Sequence, residues 1–433
     1  MSYAQQQELQ DVSAVVVKTA SVATNQMQAD PPGRWRALVL MMISMVCCLS
    51  PWFGATAAIA EFKVKFGIND ETAGILTVMV QFGFLVGACA SAFLGIADVV
   101  PPRRLFFAGG LGAALVNILL LIPSLSFGSA CFLRFLTGVA MAFIYPPGMK
   151  AAATWFKRGR GLGLGAMVGA LCVGSALPHV IVGVPWQTVI IGTSAASAAG
   201  AVLIILGADG PFPFKGASRF ECSLIGRVLR SPGTMLSIFA YSMHMWELYA
   251  CWSWFRRFTS ASLVAHHGYP ADSANVSAGL ITFFVVASGA FGCIIGGLCG
   301  DRFGRCTTCT VMCVISFTCS LVEGHTATAP VGVLVLIGII WGVTVVGDSA
   351  QYSAMVTEVT DTDIVGTAVT LQQAVGYTIT CATVFLVPVW EAAIGWGWAF
   401  ALLSPPNILA VAALARLYTH PAGYRKLMAS GRG

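Results

Sequence analysis

Twelve apolar runs, each long enough to cross a lipid bilayer, occupy most of this sequence. A membrane-spanning helix needs about 20 mainly apolar residues, and charges or Pro, Gly and Asn turns separate the runs. Lipid offers the main chain no hydrogen-bond partners, so an isolated run of this kind must be helical. The runs cover residues 37–60, 72–97, 104–123, 127–149, 160–183, 186–208, 233–255, 275–299, 306–322, 330–352, 364–388 and 394–417. We predict an all-α membrane protein with twelve transmembrane helices.

The shortage of charge excludes a soluble protein. Charged residues are 10% of the 433 and hydrophobic residues 57%, whereas soluble domains carry about 25% charged residues. Most of the 14 cysteines lie inside apolar runs, where cysteine behaves as a small hydrophobe. Cys306, Cys309 and Cys313 form the one dense group. A metal site would need more ligands nearby, so we predict that these thiols pack.

Basic residues predict the orientation of the chain. Of 24 Lys and Arg, 19 lie before the first run, in the even-to-odd loops or after the last run. Basic loops stay in the cytoplasm, so we expect both termini there, with the plasma membrane favoured over an organelle membrane. The polar segment 1–34 lacks the short apolar core that a signal peptide places near its start.

The longest internal loop divides the chain near its middle. It covers 209–232, between runs six and seven, and is rich in Pro, Lys and Arg. We therefore expect an N-terminal tail over 1–34, a six-helix bundle over 35–208, a cytoplasmic linker over 209–232, a second bundle over 233–418 and a C-terminal tail over 419–433.

Two loops on the same side carry related sequences. The loop after run eight reads Gly-x-x-x-Asp-Arg-x-Gly-Arg over 297–305, and the loop after run two has a degraded copy over 95–104. The matched positions are Asp98 with Asp301, 203 residues apart, and Gly138 with Gly342, 204 residues apart. Both halves have the same orientation, which indicates a parallel duplication about an axis along the membrane normal.

The loop at 297–305 resembles the signature loop of the major facilitator superfamily, and Arg134-x-x-x-Gly138 is similar to the Arg motif in that superfamily's fourth helix. Helix number, repeat and loop placement extend the resemblance over 35–420. Strings such as 145–150 and 168–179 also look like bacterial-type permeases loosely grouped with nitrate and cyanate porters. The resemblance implies two six-helix bundles that alternately open a central solute site, lined by helices one, four, seven and ten.

The loop motif is interpreted as a conformational latch. Charge-assisted bonds from Arg302 or Arg305 to Asp301 or a neighbouring helix end would hold one conformation until they break. The alternative is that the basic residues only keep the loop in the cytoplasm. The predicted gating residues are Asp98, Arg103, Gly297, Asp301, Arg302, Gly304 and Arg305.

Three charges inside the apolar runs need a reason, because charge in a membrane is costly. A carboxylate in a low-dielectric cavity can load and release a proton. Glu247 is the first candidate for proton coupling and Asp348 the second. Arg134 either balances one of them or holds an anionic solute. The alternative is a fixed Arg–carboxylate pair that locks helices together.

Run seven offers an aromatic wall beside a His–carboxylate pair, which suits a small organic solute. His244 and Glu247 are three residues apart and so are neighbours on a helix. Aromatic residues near the ends of the run are instead expected at the membrane interface. The predicted solute-binding residues are Arg134, His244, Tyr241, Gln351, Gln372 and Gln373.

These features predict a secondary transporter and not an enzyme. No glycine string carries a Walker Lys-Ser/Thr pair, so a gradient must drive transport, and proton symport of a small organic anion is favoured. The expected partners are the solute, protons and the lipid bilayer, with no nucleic acid, no cofactor, no bound metal and a monomeric chain. The alternatives are a transporter-like membrane sensor or assembly factor, and a copper importer using methionines such as Met41 and Met45.

Overall fold

The computed structural model describes residues 31–156, 160–181, 184–212 and 221–420, without the side chains at 70, 71, 97, 98 and 160. These residues form helices and no strand. The first six spanning helices are α1 (Arg34–Ala57), α2 (Asp70–Phe93), α3 (Pro102–Leu121), α4 (Phe127–Ala153), α5 (Arg160–Val180) and α6 (Trp186–Ile205). The other six are α7 (Pro232–His267), α8 (Ala271–Phe303), α9 (Arg305–Glu323), α10 (Val331–Val359), α11 (365–394) and α12 (396–419).

The prediction of an all-α membrane protein is confirmed. Among the described residues, ten helical stretches are long and apolar enough to cross a membrane, and one of them contains both α11 and α12. These two helices are separated at Gly395, whose φ of 76° breaks the helix. Helix α7 is long enough to span but carries more polar residues than the others.

Helix α7 is longer than the predicted run, which ended at residue 255. It continues to His267, and α8 begins at Ala271 instead of 275. Arg256 and Arg257 directly follow the predicted run, yet both lie inside the helix. Their guanidinium groups have partners on other helices. A helix can include charges that are satisfied by neighbouring helices.

Three of the spanning helices are interrupted within their length. Helix α1 becomes a 3-10 turn over Ser50–Phe53, where Pro51 has no main-chain N–H to donate. Helix α4 is interrupted at 142–144, before two prolines, and α10 is interrupted at Asp348. These interruptions leave carbonyl groups that need donors within the protein.

The helices pack as two halves. We call α1–α6 the N-half and α7–α12 the C-half. In the N-half, α2 packs on α4, α3 on α6 and α1 on α5 and α6. In the C-half, α8 packs on α10, α9 on α12 and α7 on α11 and α12. The same pairs therefore recur in both halves, as the sequence repeat predicts.

Matched glycines make close contacts at the same helix pair in each half. A Cβ atom placed on Gly138 of α4 would overlap the carbonyl oxygen of Val80 on α2. A Cβ atom on Gly342 of α10 would overlap the carbonyl oxygen of Val285 on α8 in the same way. The two glycines that align in the repeat thus bring the same pair of helices into main-chain contact in each half.

The described end of the linker is tied to the loop before α11. A short helix covers Ile225–Leu229, and Arg227 Nη1 lies 2.7 Å from Asp363 Oδ2. The hydrogen bond from Arg227 lowers the pKa of the Asp363 carboxyl below its usual range. Both side chains are exposed, so water and salt weaken the pair.

Candidate functional site between the two halves

The two halves meet along α5 with α8 and along α2 with α11. Helix α5 approaches α8 through glycines spaced four residues apart. A Cβ atom on Gly165 would lie 3.0 Å from the carbonyl oxygen of Cys293, and one on Gly169 would lie 3.3 Å from the Cα of Ala290. Such close approach of small residues suits helices that slide against each other.

At the end of the interface where α1 begins, Asp301 reaches across it. A Cβ atom on Gly161 would lie 3.1 Å from Asp301 Oδ2, so this carboxylate of α8 stands against the first turn of α5. The N-terminus of a helix attracts negative charge. A Cβ atom on Gly297, one turn earlier on α8, would lie 3.6 Å from the Gly161 carbonyl oxygen. Asp301 and Gly297 therefore lie against α5 at this end of the interface.

Arg305 bonds near the end of the neighbouring helix α10 and not to Asp301; both partners were among those predicted. Its Nε donates to Glu358 Oε1 at 2.8 Å and Oε2 at 2.9 Å, and its Nη1 donates to Gln351 Oε1 at 2.5 Å. Gly304, with φ of 89°, turns the chain so that α9 can start with this side chain buried. Arg305 thus joins α9 to α10 within the C-half. It does not bond to Asp301. Gln351, predicted to bind solute, belongs to this cluster.

Arg302, and Arg103 of the first copy of the motif, contact residues of their own half. The Arg302 guanidinium lies 5.3 Å from the ring centre of Phe303. Arg103 Nε lies 3.2 Å from Asp209 Oδ1, and its Nη1 donates to the carbonyls of Ile205 and Gly207 at the end of α6. The side chain of Asp98 lies outside the described residues. Arg103 therefore joins α3 to α6 within the N-half.

At the opposite end of the interface, where α1 ends, Arg256 of α7 reaches across to the N-half. Its Nη1 donates to the carbonyl oxygen of Ala57 on α1 at 2.6 Å, and its Nη2 donates to Asn275 Oδ1 on α8 at 3.0 Å. Trp254 lies against Gly74 of α2. The halves are thus in contact at both ends.

Aromatic rings fill the centre of the interface. The N-half contributes Trp52, Phe53 and Phe84, and the C-half contributes Tyr249, Trp252 and Tyr377; we call these six residues the central aromatic cluster. The rings of Trp52 and Tyr249 are 5.7 Å apart and inclined by 13°, so they stack. Phe84 lies 4.5 Å from Tyr377, and Phe53 lies 6.2 Å from Trp252. Each of these pairs joins the two halves.

Polar groups without partners surround the central aromatic cluster. Gln81, Ser175 and His179 are at least 99% buried, yet the amide, the hydroxyl and both ring nitrogens have no hydrogen-bond partner. The indole N–H groups of Trp52 and Trp252 also lack acceptors. His179 lies 6.3 Å from Phe53, and Ser175 and Gln81 lie one turn before His179 and Phe84. Buried polar groups are normally bonded, so this unmet capacity makes the group a candidate ligand site.

The sequence-based prediction does not include these polar residues, because it rests on charged residues inside the apolar runs. Gln81 and His179 are uncharged polar residues in otherwise apolar surroundings. A search for any lone polar residue in the middle of a run would have found both. Trp52 and Phe53 follow Pro51, and the helix break at this proline is what turns their rings into the interface.

The predicted polar residues of α11 lie beside α7. Tyr241 donates to Gln373 Oε1 at 3.2 Å, and the hydroxyls of Tyr249 and Tyr377 are 3.0 Å apart. Gln372 is buried, and neither of its amide atoms has a partner. The structure thus brings Tyr241 and Gln373 together and leaves Gln372 with free hydrogen-bonding capacity.

His244 and Asp348 form a buried pair between α7 and α10. His244 Nδ1 lies 3.1 Å from Asp348 Oδ1, and its Nε2 is 2.8 Å from Ser349 Oγ. Asp348 Oδ2 accepts from Cys313 Sγ of α9 at 3.6 Å. The His244 ring also lies 6.2 Å from Tyr241. The pair is therefore inside the C-half, next to residues that face the interface.

Glu247 lies in the core of the C-half, away from the central aromatic cluster. Its Oε1 accepts from Ser316 at 2.9 Å and from Trp341 Nε1 at 2.6 Å, and its Oε2 accepts from Asn407 at 2.6 Å. Among the described residues, no Lys, Arg or His lies within 4 Å of this carboxylate. Uncharged donors from α9, α10 and α12 therefore hold it, and it does not bond to His244.

Arg134 supports the break in α1. Its guanidinium donates to the carbonyl of Pro51 at 2.9 Å and to the carbonyl of Trp52, and it lies 3.5 Å from Asn117 Oδ1. It is completely buried, and no carboxylate pairs with it in the described part of the chain. Neither the predicted Arg–carboxylate pair nor a solute-facing arginine is formed in this conformation. Arg134 instead fixes the turn that carries Trp52 and Phe53.

The sulfur-bearing side chains pack against separate neighbours. Cys306 contacts Met355 at 3.6 Å, and Cys313 contacts the Tyr352 hydroxyl at 3.0 Å. Met45 lies against Gly148 in the N-half, and Met245 lies against Gly376 in the C-half. In the described residues, His, Cys, Asp and Glu form no group of three suited to a metal ion.

Two halves of packed, membrane-spanning helices meet at this interface, so the chain is a multi-pass membrane protein. The sequence profile of the Major Facilitator Superfamily matches residues 37–385. The chain therefore belongs to the Major Facilitator Superfamily and is a secondary transporter. Its fold is similar to the crystal structure of a bacterial homologue of the human lysosomal transporter Spinster, solved in an inward-facing and unoccupied conformation. The TM-score is 0.61 at 13% identity, covering 93% of this chain and 98% of that one. A search of curated protein sequences gave no significant match.

Proposed function

We propose that this transporter moves a small organic solute with a flat ring or apolar portion and several hydrogen-bonding groups. The solute would bind at the central aromatic cluster. The observation that carries this proposal is the set of unpartnered polar groups around stacked rings, since binding sites are mostly apolar with a few placed polar groups. A ring on the solute would stack against Trp52 or Tyr249 once the two halves move apart, while Gln81 and His179 would bond to its polar atoms.

The proposed solute needs no negative charge. The sequence predicts an organic anion because Arg134 and His244 are predicted solute ligands. Arg134 is bound to carbonyls of its own half, and His244 is bound to Asp348. Stacking and neutral hydrogen bonds therefore replace charge as the proposed basis of recognition.

Alternating access would break one set of contacts between the halves at a time. Opening the inner side would separate Asp301 from the first turn of α5. Opening the outer side would separate Arg256 from the carbonyl of Ala57. Both contacts are polar, and that of Arg256 is a hydrogen bond across the interface, so each can hold one conformation and be exchanged for water when it opens.

Proton coupling is proposed to use the C-half. The His244–Asp348 pair shares buried surroundings with Tyr241, which is bonded to Gln373 of α11, an interface helix. A change in the protonation of the pair changes its attraction, and this change can reach the interface through Tyr241. Glu247 would exchange protons deeper in the same half.

The proposal also covers the topology of the chain in the membrane and its assembly. The basic residues support cytoplasmic termini, with bundles over 35–208 and 233–418 and the linker over 209–232 between them. The tails beyond these bundles lie largely outside the described residues. A monomer in the plasma membrane is the simplest arrangement.

The proposed solute site can be tested by removing its unpartnered groups. Gln81→Leu and His179→Phe should each stabilise the solute-free protein by about 1 kcal/mol, because a buried polar group without a partner is unfavourable. The same variants should lose the thermal stabilisation that a binding compound gives to the wild type. Melting of the purified protein in lipid nanodiscs, screened against small ring-bearing metabolites, measures both effects.

Tyr269→Phe is the matched control, since Tyr269 is half-exposed beyond the end of α7. It should leave both the melting temperature and the ligand response unchanged. If Gln81→Leu and His179→Phe bind the same compounds as the wild type, the central aromatic cluster is not the solute site. Binding without uptake into proteoliposomes would instead favour the membrane sensor.

A further inference from the structure

A stripe of polar residues runs along one face of α9 through the whole C-half. Its members recur every three or four residues, which places them on one side of a helix. All are buried: Arg305, Cys309, Cys313, Ser316, Ser320 and Glu323. Positions with this spacing in a buried helix usually hold apolar side chains, so a continuous polar face inside a helix bundle needs a reason.

The stripe connects the two acids already described. Cys313 contacts Asp348 Oδ2 at 3.6 Å, and Ser316 donates to Glu247 Oε1 at 2.9 Å. Ser320 donates to the main-chain oxygen of Ser316 at 3.0 Å. One helix face therefore touches Asp348, then Glu247, and then continues outward to Glu323.

Glu323 is the most unusual member. It is fully buried at the outer end of α9, and neither carboxylate oxygen has a hydrogen-bond donor. Glu247, by contrast, accepts from three donors. An ion buried without partners is penalised by several kcal/mol. These surroundings therefore favour a Glu323 that carries a proton, whereas those of Glu247 can hold the carboxylate.

No charged group compensates Glu323 among the described residues. The titratable groups within electrostatic range are the thiols of Cys251 on α7 and Cys319 on α9. From the α12 side, the adjacent turn meets Trp396 and Gly397, which do not titrate. The exposed His325 lies two residues beyond Glu323, at the outer surface. Glu323 therefore lies within one turn of the exposed surface.

We propose that Glu323 is the outer proton acceptor of the transporter and that the α9 stripe carries the proton inward to Glu247. Ser320 lies one turn from Glu323, and its hydroxyl also lies close to Glu247. The Ser320 oxygen would take the proton of Glu323 while the Ser320 hydroxyl proton passes to the Glu247 carboxylate. Glu323 becomes a carboxylate and Glu247 an acid, so the total charge is unchanged, and Glu323 then takes up a proton from the outer side. The route lies inside the C-half, which separates the proton path from the solute site at the interface. The proposal rests on proton coupling by the C-half as proposed above.

Infrared difference spectroscopy of the full-length protein in lipid nanodiscs tests the route with protons as the only ligand. A pH jump should change carboxylic acid carbonyl bands in the wild type. Glu323→Gln should lose one of them completely. Asp272→Asn, which changes an exposed acid at the start of α8, should keep every band. An unchanged wild-type spectrum in Glu323→Gln would overturn the proposal.

Ser320→Ala keeps the test decisive if Glu323→Gln fails to fold. The Glu247→Gln variant identifies the band of Glu247. Ser320→Ala should retain the Glu323 band, but the Glu247 band should appear at least tenfold more slowly after the pH jump. An unaltered rate would show that protons do not pass along α9. Solute binding at the central aromatic cluster is measured separately by melting, so failure there leaves these infrared results independent.

Discussion

Replacing Gly342 with alanine is expected to destabilise the protein by about 3 kcal/mol. The new methyl group would overlap the carbonyl oxygen of Val285 and lie 2.7 Å from Ser288 Oγ. A main-chain oxygen cannot rotate away, so α8 and α10 must separate. Thermal unfolding in detergent, together with the yield of monodisperse protein, measures the loss. Gly138→Ala should have a similar effect because it faces the Val80 carbonyl in the equivalent contact.

Gly332→Ala is the control on the same helix. Nothing lies within 4 Å of a Cβ atom at this position, and alanine is favoured over glycine in a helix by about 1 kcal/mol. Gly332→Ala should therefore be neutral or slightly stabilising. Equal stability of Gly342→Ala and Gly332→Ala would contradict the packing of α8 against α10.

Replacing Arg134 with lysine should destabilise the protein by about 3 kcal/mol although the charge is retained. A single ammonium group cannot reach the carbonyls of Pro51 and Trp52 and the side chain of Asn117 together, whereas the guanidinium contacts all three. The charge would stay buried with fewer partners. The turn that carries Trp52 would loosen as well, so compounds that stabilise the wild type should bind Arg134→Lys at least tenfold more weakly.

Arg36→Lys provides the comparison, since Arg36 is exposed near the start of α1. It should melt and bind like the wild type. If Arg134→Lys matches it in both measurements, Arg134 does not hold the break in α1.

The fold could be predicted because lipid restricts what a chain can form. Long apolar runs must be helices, and the equal spacing of Asp98 with Asp301 and of Gly138 with Gly342 fixed the number of repeats. Helix ends were harder to predict. Arg256 and Arg257 looked like the end of a run, and only their partners on other helices explain why α7 continues past them.

The site was less predictable because helical periodicity does not show which neighbour a face meets. His244 and Glu247 are three residues apart, yet one bonds to α10 and the other to α9, α10 and α12. Arg134 looked like a solute ligand because no sequence pattern shows that the broken turn at Pro51 needs donors. Glu323 lies one residue beyond the predicted run 306–322 and so was not counted among intramembrane charges.

Distances between the two halves test the central claim of alternating access most directly. Spin labels attached to an introduced ketone-bearing amino acid leave the fourteen native cysteines unlabelled. One pair at 64 and 272 reports the outer side, and a second pair at 99 and 303 reports the inner side; all four residues are exposed. We predict two populations in lipid, one with only the outer distance lengthened and one with only the inner distance lengthened. Asp301→Asn should enlarge the inner-open population. Distances that stay fixed across pH and bound compounds, or that lengthen together, would contradict the account.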